Sequence, residues 1–249
     1  MINGIGRNEV HVWRTRASQV CDPAVVQRCL DALDRQERER MSRFATANLR
    51  HLYLVSHSLV RFMLSSFASV APAMWHFGRN QWGAPYVCAP DHLTALRFSL
   101  SHSGDYAACA VTLGREVGLD IEQVPAHSEI DQIIEQVATK FSEGELAGLR
   151  AEAITNQPRY FARLWTAREA YVKARGSSLS ITPASFAMQV ENVITAPRVE
   201  HQTLQQAEES KWGAWLSEVG EDYQQAIVVR RQAGEVLVAK ERQYAFEHE

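Results

Sequence analysis

Helical periodicity followed by short alternating runs, and then the same succession a second time, is what most limits the folds open to this chain. Residues 23–44 read as a charged helix (D-A-L-D-R-Q-E-R-E-R-M-S-R-F at its end), and a second helix is expected from about Asn48 to Phe67, with Leu52, Leu59, Met63 and Leu64 at helical spacing. Strand-like runs follow at Met74–Phe77, Pro85–Val87, Arg97–Leu100, Tyr106–Leu113 and Val117–Val124, separated by the turns R-N-Q-W-G-A-P, S-G-D and G-R-E. Pro125 closes this first half. Helices are then expected near 129–140, 143–151 and 158–175, and strands near 185–191, 212–217, 224–231 and 235–240. Pro158 suits a first helical turn, and Gly176 stands where a left-handed cap is wanted. Helices followed by antiparallel strands, twice over, predict an α+β fold of two similar halves, residues 1–124 and 125–249, each a small mainly antiparallel sheet packed with helices.

A chain of 249 residues has room for two such cores. Its net charge of −3 gives no global attraction to nucleic acid or to an anionic membrane, so any basic surface is local. Cys21, Cys29, Cys88 and Cys109 lack C-x-x-C spacing, which argues against a zinc site or a disulfide framework. The opening M-I-N-G-I-G-R-N-E-V has no apolar signal core, and the most apolar stretch, 52–77, is broken by His57, Arg61 and serines. A soluble cytoplasmic protein, without nucleic acid or membrane partners, is the expectation.

Three carboxylates in two segments carry the chemistry. In V-G-L-D-I-E, Asp120 and Glu122 alternate with Val117, Leu119, Ile121 and Val124, so both project from one face of a half-buried strand. In L-W-T-A-R-E-A-Y-V-K, Trp165, Glu169 and Lys173 recur every four residues on one face of a helix. Three carboxylates can hold a hard cation such as Mg²⁺, and Lys173 can meet a phosphate on that cation. The pairing suggests Mg²⁺-assisted chemistry on a pyrophosphate. Each piece also has a plainer reading: D-x-E as the wet face of an edge strand, and Glu169 with Lys173 as a surface i,i+4 pair. Ser101-His102-Ser103, at a strand end, offers donors to a phosphate; adjacent Ser and His without a G-x-S-x-G elbow do not suit a hydrolase. Arg50, His57 and Arg61 fall within about 20° of one another on a helical wheel. With Arg40 and Arg43 they read either as a solvated basic face or as a phosphate-contacting wall.

In this order, Arg43-Phe44 with the following helix, G-A-P-Y at 83–86, F-S-L-S-H-S at 98–103, V-G-L-D-I-E at 117–122, F-S-E-G-E at 141–145 and L-W-T-A-R-E-A-Y-V-K-A-R-G at 164–176 resemble the 4′-phosphopantetheinyl transferases, in particular their larger pseudo-dimeric (surfactin-type) class. The resemblance implies two halves related by a pseudo-twofold, with the active site at their junction, working as a monomer. It implies transfer of the phosphopantetheine arm of coenzyme A to a serine of an apo acyl or peptidyl carrier protein, releasing adenosine 3′,5′-bisphosphate. By similarity, Asp120, Glu122 and Glu169 would hold Mg²⁺, and Lys173 would contact the coenzyme A phosphates. Ser101 and His102 would bind the 3′-phosphate end, with Arg43, Arg50, Arg61 and Arg168 as further coenzyme A contacts. Glu145 matches the glutamate proposed in some members as the base for the serine.

The chain departs from the family at Ala84, where G-K-P is common, at Arg168, where the family has K-E-A or K-E-S, and at Ser99, where Asn is frequent. Arginine keeps the charge but changes its geometry. Altered coenzyme A binding with the chemistry retained is the expectation. A non-catalytic module that grips coenzyme A or a carrier protein is the alternative.

Overall fold

A computed structural model describes residues 1–176, 186–189, 198–200 and 211–246. The chain divides into two compact units: Met1–Gln81, Pro85–Glu116 and Val236–Glu249 form unit 1, and Trp82–Ala84 with Val117–Glu235 form unit 2. Unit 1 runs β1 (Glu9–Arg16), α1 (Pro23–Ala32), α2 (Arg35–Ser42), α3 (Ala47–Ser65), β2 (His76–Arg79), β3 (Pro85–Ala89), β4 (Leu96–Ser103) and β5 (Tyr106–Leu113). Unit 2 runs β6 (Val117–Gln123), α4 (Ile130–Val137), α5 (Glu143–Ala151), α6 (Gln157–Arg175), β7 (Ala187–Gln189), β8 (Arg198–Glu200), β9 (Trp212–Val219) and β10 (Tyr223–Arg230). A last strand, β11 (Val238–Gln243), belongs to unit 1.

The two units share one plan. Each has a strand, two short helices, a 19-residue helix, a two-stranded hairpin and a final strand pair. The sheets are ordered β11-β1-β5-β4 and β6-β10-β9, so β1, β5 and β4 correspond to β6, β10 and β9. Among the described residues, every strand pair is antiparallel except β1 with β11. The α+β class and the two similar halves hold, but the boundary at 124/125 does not. Strand β6 joins unit 2 because its backbone pairs with β10, with Asp120 opposite Ala226. The last strand returns to unit 1, where Glu9 pairs with Val238.

Local chemistry accounts for the helix limits. The helix expected over 23–44 is two helices. Leu33 turns extended, and Asp34 then caps α2 by accepting from the Glu37 backbone while the Glu37 side chain accepts from the Asp34 backbone. Thr46 caps α3 through the Leu49 N–H. Helix α6 carries proline in its first turn and ends at Gly176, which is left-handed at φ 62°. Strand β1 is absent from the expected elements, although Val10 and Val12 alternate toward one face and are buried. The strand expected near 185–191 is β7, and the ends of that range lie outside the described residues. No described helix is long and apolar enough to cross a membrane.

Each unit packs its long helix on its sheet. In unit 1, Leu59, Met63 and Leu64 of α3 are fully buried against Trp13, Ala107, Cys109 and Val111. The C-terminal segment completes this core. Tyr244 stacks on Trp13 with ring centroids 4.4 Å apart, and Phe246 is 5% exposed and edge-on to Phe62. Removing a buried aromatic ring costs about 3–5 kcal/mol. Phe246→Ala is therefore expected to lower the free energy of unfolding, measured by urea titration, by that amount, and an unchanged value would show that unit 1 does not need this segment.

Candidate active site

The acidic strand and the long helix of unit 2 meet because one residue lacks a side chain. Gly118, Asp120 and Glu122 pair across the ladder with Val228, Ala226 and Gln224. Ala226 and Val228 pack with Ala167, Ala170 and Ala174 of α6, so this face of β6 is turned to the helix. A Cβ on Gly118 would lie 1.8 Å from the Ala170 carbonyl oxygen, so helix backbone sits directly on strand backbone here. That approach brings Glu169 and Lys173 against the acidic face. The Lys173 ammonium donates to Asp120 Oδ1 at 2.7 Å and to the Leu119 carbonyl at 3.1 Å. Burial, and then the charge of Asp120, push the Glu169 carboxyl above the usual carboxylate range. Glu122 stands two residues along on the same face, half-buried.

The expected three-carboxylate cluster is thus brought into one neighbourhood but not closed around a point. Among the described residues, no group of three His, Cys, Asp or Glu side chains is gathered tightly enough to hold a metal ion. Lys173 is the cation that Asp120 already faces.

Glu145 is buried and hydrogen-bonded to three partners. Ser142 caps α5, and Glu145 completes the capping box, its Oε2 accepting from the Ser142 N–H at 2.7 Å. The same carboxylate accepts from Arg168 Nη1 at 2.6 and 2.7 Å and from the Met188 N–H at 2.8 Å. Its side chain is 2% exposed. Arg168 is equally committed: it donates to the Phe186 carbonyl, and its guanidinium lies 4.2 Å from the Phe186 ring and 5.5 Å from the Phe141 ring. Only 6% of its side chain is exposed. A buried pair of this kind, hydrogen-bonded on all sides, is a structural clamp.

Unit 1 contains the same clamp. Glu37 closes the capping box of α2, and Arg61 of α3 donates to Glu37 at 2.9 Å, to Asp34 at 3.0 Å and to the carbonyls of Pro72 and Trp75. The Arg61 side chain is fully buried. Helical-wheel grouping does place His57 beside it: His57 Nδ1 lies 3.0 Å from Glu37 Oε1, and its ring stacks on Tyr53 at 3.9 Å. Arg50 donates to the carbonyls of Phe44 and Ala45, holding the α2–α3 turn. Arg43, at the C-terminus of α2, is exposed. Ser101 and His102 alternate on β4, so their side chains leave opposite faces. Ser101 is buried, and His102 is exposed on the face that carries Phe98 and Leu100.

Phe98 and Leu100 also line a cleft of about 310 Å³ within unit 1, with Glu37, Arg40, His57 and Tyr53 on one side and Phe77 and Arg79 on another. Burial and the charge of Glu37 push the Tyr53 phenol up to about 12, so it stays neutral near pH 7. Arg79 was not among the expected cations; it lies in the R-N-Q-W-G-A-P stretch read only as a turn.

Gly118→Ala must separate α6 from β6, which costs about 3 kcal/mol or more in a packed interior; urea unfolding would measure the loss. For Glu37, burial alone raises the pKa, but His57 and Arg61 outweigh it and the net shift is downward. Stability from that shift is complete above the ordinary carboxylate value of about 4.3 and is lost as pH falls through the lower folded value. Wild-type stability is expected to drop more steeply below pH ~4.3 than that of Glu37→Gln, and equal slopes in denaturant titrations would contradict the assignment.

Both units are similar in sequence to known proteins. Residues 116–228 match the 4′-phosphopantetheinyl transferase superfamily, and residues 21–113 match the 4′-phosphopantetheinyl transferase N-terminal family. The chain is 30% identical to a 4′-phosphopantetheinyl transferase of Bacillus subtilis over 66% of this chain and 70% of that protein. It is 26% identical to the L-aminoadipate-semialdehyde dehydrogenase-phosphopantetheinyl transferase of mouse, over 80% of this chain and 67% of that protein. Among solved structures, an ACPS–CoA complex from Chronobacterium ammoniagenes matches at 18% identity and a TM-score of 0.35, covering 47% of this chain and 98% of that one. Matched along both units and by a relative at this level, the chain belongs to the 4′-phosphopantetheinyl transferase superfamily.

Proposed function

We propose that this chain transfers the 4′-phosphopantetheine arm of coenzyme A to a serine hydroxyl of an apo acyl or peptidyl carrier protein. The observation that carries the reading is the acidic face of β6 set against Glu169 and Lys173 of α6, in a chain of this family. The serine oxygen attacks the phosphorus that bears the pantetheine arm, and the bridging P–O bond breaks. Adenosine 3′,5′-bisphosphate leaves with the bonding pair, and the serine proton passes to water, since Glu145 is bound on every side.

The donor set fits a small hard cation. Mg²⁺ is commonly held by one or two carboxylates together with phosphate oxygens, so a closed three-residue cage is not required. Asp120 and Glu169, with Glu122 beside them, would hold it, and it would supply positive charge to a pyrophosphate under attack. Burial, and then the charge of Asp120, raise Glu169, and both give the pair a reason to accept a cation. Lys173, whose side chain is 31% exposed, would exchange Asp120 for a phosphate oxygen and stabilise the charge that develops there. Unit 1 offers a nucleotide a cleft with arginine at Arg40 and Arg79 and aromatic walls at Tyr53 and Phe77. Exposed Arg43 and His102 are the further phosphate contacts in this reading. All four cysteines are free thiols, which accords with a cytoplasmic setting, and a single chain is the proposed working unit.

Intact-mass analysis of apo carrier proteins incubated with the enzyme, coenzyme A and Mg²⁺ tests the reading. A gain of one phosphopantetheine is expected, slowed about 100-fold or more in Glu169→Ala, as for loss of one electrostatic stabiliser. Coenzyme A binding by calorimetry without any mass gain on a broad carrier panel would favour a non-catalytic binding module instead.

A further inference from the structure

We propose that Arg168 and Glu145 are a positioning pair: together they set the rotation of α6 and so carry Glu169 to Asp120, and neither touches coenzyme A or the carrier serine. This rests on the transferase reading above.

The geometry gives the pair that control. Arg168 and Glu169 are neighbours on α6, so their side chains leave the helix about 100° apart. Fixing one fixes the direction of the other. Arg168 is fixed from three sides, by the Glu145 carboxylate, the Phe186 carbonyl and the Phe141 and Phe186 rings. Glu145 is anchored in turn to the first turn of α5 and to the Met188 N–H of β7. A helix rotation of about 20° moves a side-chain tip ~7 Å from the axis by ~2.5 Å. That is enough to change the separation of Glu169 and Asp120 by about the length of a hydrogen bond.

Unit 1 shows that the clamp is a device of the fold. Arg61 comes from the long helix, Glu37 from the third position of the preceding short helix, and Trp75 gives its carbonyl one residue before the hairpin. In unit 2, Arg168, Glu145 and Phe186 occupy the same three places. Unit 1 clamps its helix in this way with Phe62, not a carboxylate, next to the arginine. A glutamate used identically in both units is explained by its architecture, and catalysis need not be invoked for it.

The test compares Arg168→Met, Glu145→Met, the double variant and Arg168→Lys, reading kcat, the KM for coenzyme A, the Mg²⁺ concentration for half-maximal rate, the pH profile of kcat/KM and the melting temperature. Each single Met variant is expected to lower kcat about 10- to 100-fold and to raise the Mg²⁺ requirement, as loss of a supporting partner does. The double variant is expected to recover about tenfold over the poorer single, because no unpaired charge is left buried. Arg168→Lys recovers part of the rate, and the acid limb of the pH profile persists in the double variant. A double variant as inactive as Glu145→Met, with the acid limb gone, would make Glu145 a base. A raised KM for coenzyme A in Arg168→Met alone would make Arg168 a ligand. A lower melting temperature with kcat and Mg²⁺ requirement unchanged would reduce the pair to a stability element. Crystal structures of wild type and Arg168→Met separate failure of this inference from failure of the transferase reading. Glu169 displaced from Asp120 supports positioning even if no carrier is modified, and an unmoved α6 overturns it.

Discussion

An arginine buried among apolar side chains has to be paired, and the fold of each unit is arranged around that demand. Arg61 and Arg168 have essentially no access to water. Each is satisfied by a glutamate at the third position of a short helix, by a carbonyl just ahead of a hairpin, and by the face of an aromatic ring. One side chain thereby ties together three elements distant in sequence. Removing one partner of such a pair typically costs about 3–5 kcal/mol, because the remaining charge is left in a low-dielectric interior. The ion pair adds little net stability over an apolar contact of equal volume; what it adds is direction. A guanidinium with fixed donors tolerates one helix rotation and one hairpin position, where a leucine would tolerate several.

Direction matters most on α6. Helix and strand come within backbone contact at Gly118, and the small Ala170 and Ala174 complete that surface. Two carboxylates of opposite elements are then forced together, and burial with Asp120 raises Glu169. Lys173 offsets part of this repulsion by bonding Asp120. The result is an acidic centre with its own lysine cation one helical turn from Glu169. Such a centre suits a ligand that brings both phosphate oxygens and a divalent ion.

Much of this was legible in the sequence, and the parts that were not have physical reasons. The two-fold succession of helices and strands, the cap at Gly176 and the shared face of Asp120 and Glu122 followed from spacing alone. The roles of Glu145, Arg168 and Arg61 did not, because a charged residue reads as exposed unless its partner is known, and the partners lie 23 and 24 residues away. A local signal existed. D-R-Q-E at 34–37 and S-E-G-E at 142–145 are both capping-box patterns, which already commit the glutamate to backbone N–H groups. The unit boundary was misplaced for a different reason: β6 ends near Pro125, but membership is decided by backbone pairing with β10, about 100 residues on.

The shared plan also explains why chemistry is assigned to one unit only. In unit 1, the face of β1 turned to α3 carries His11, Trp13 and Thr15, opposite Val111, Cys109 and Ala107 of β5. Trp13 fills that space, and it is covered further by Arg242 of β11, which pairs with β1, and by Tyr244 just beyond that strand. In unit 2, the corresponding face of β6 carries Gly118, Asp120 and Glu122, and among the described residues β6 pairs only with β10. One copy of the plan is packed solid with aromatic side chains and an extra strand. The other, with a glycine where bulk would separate helix from strand, keeps charge at the same level of the sheet.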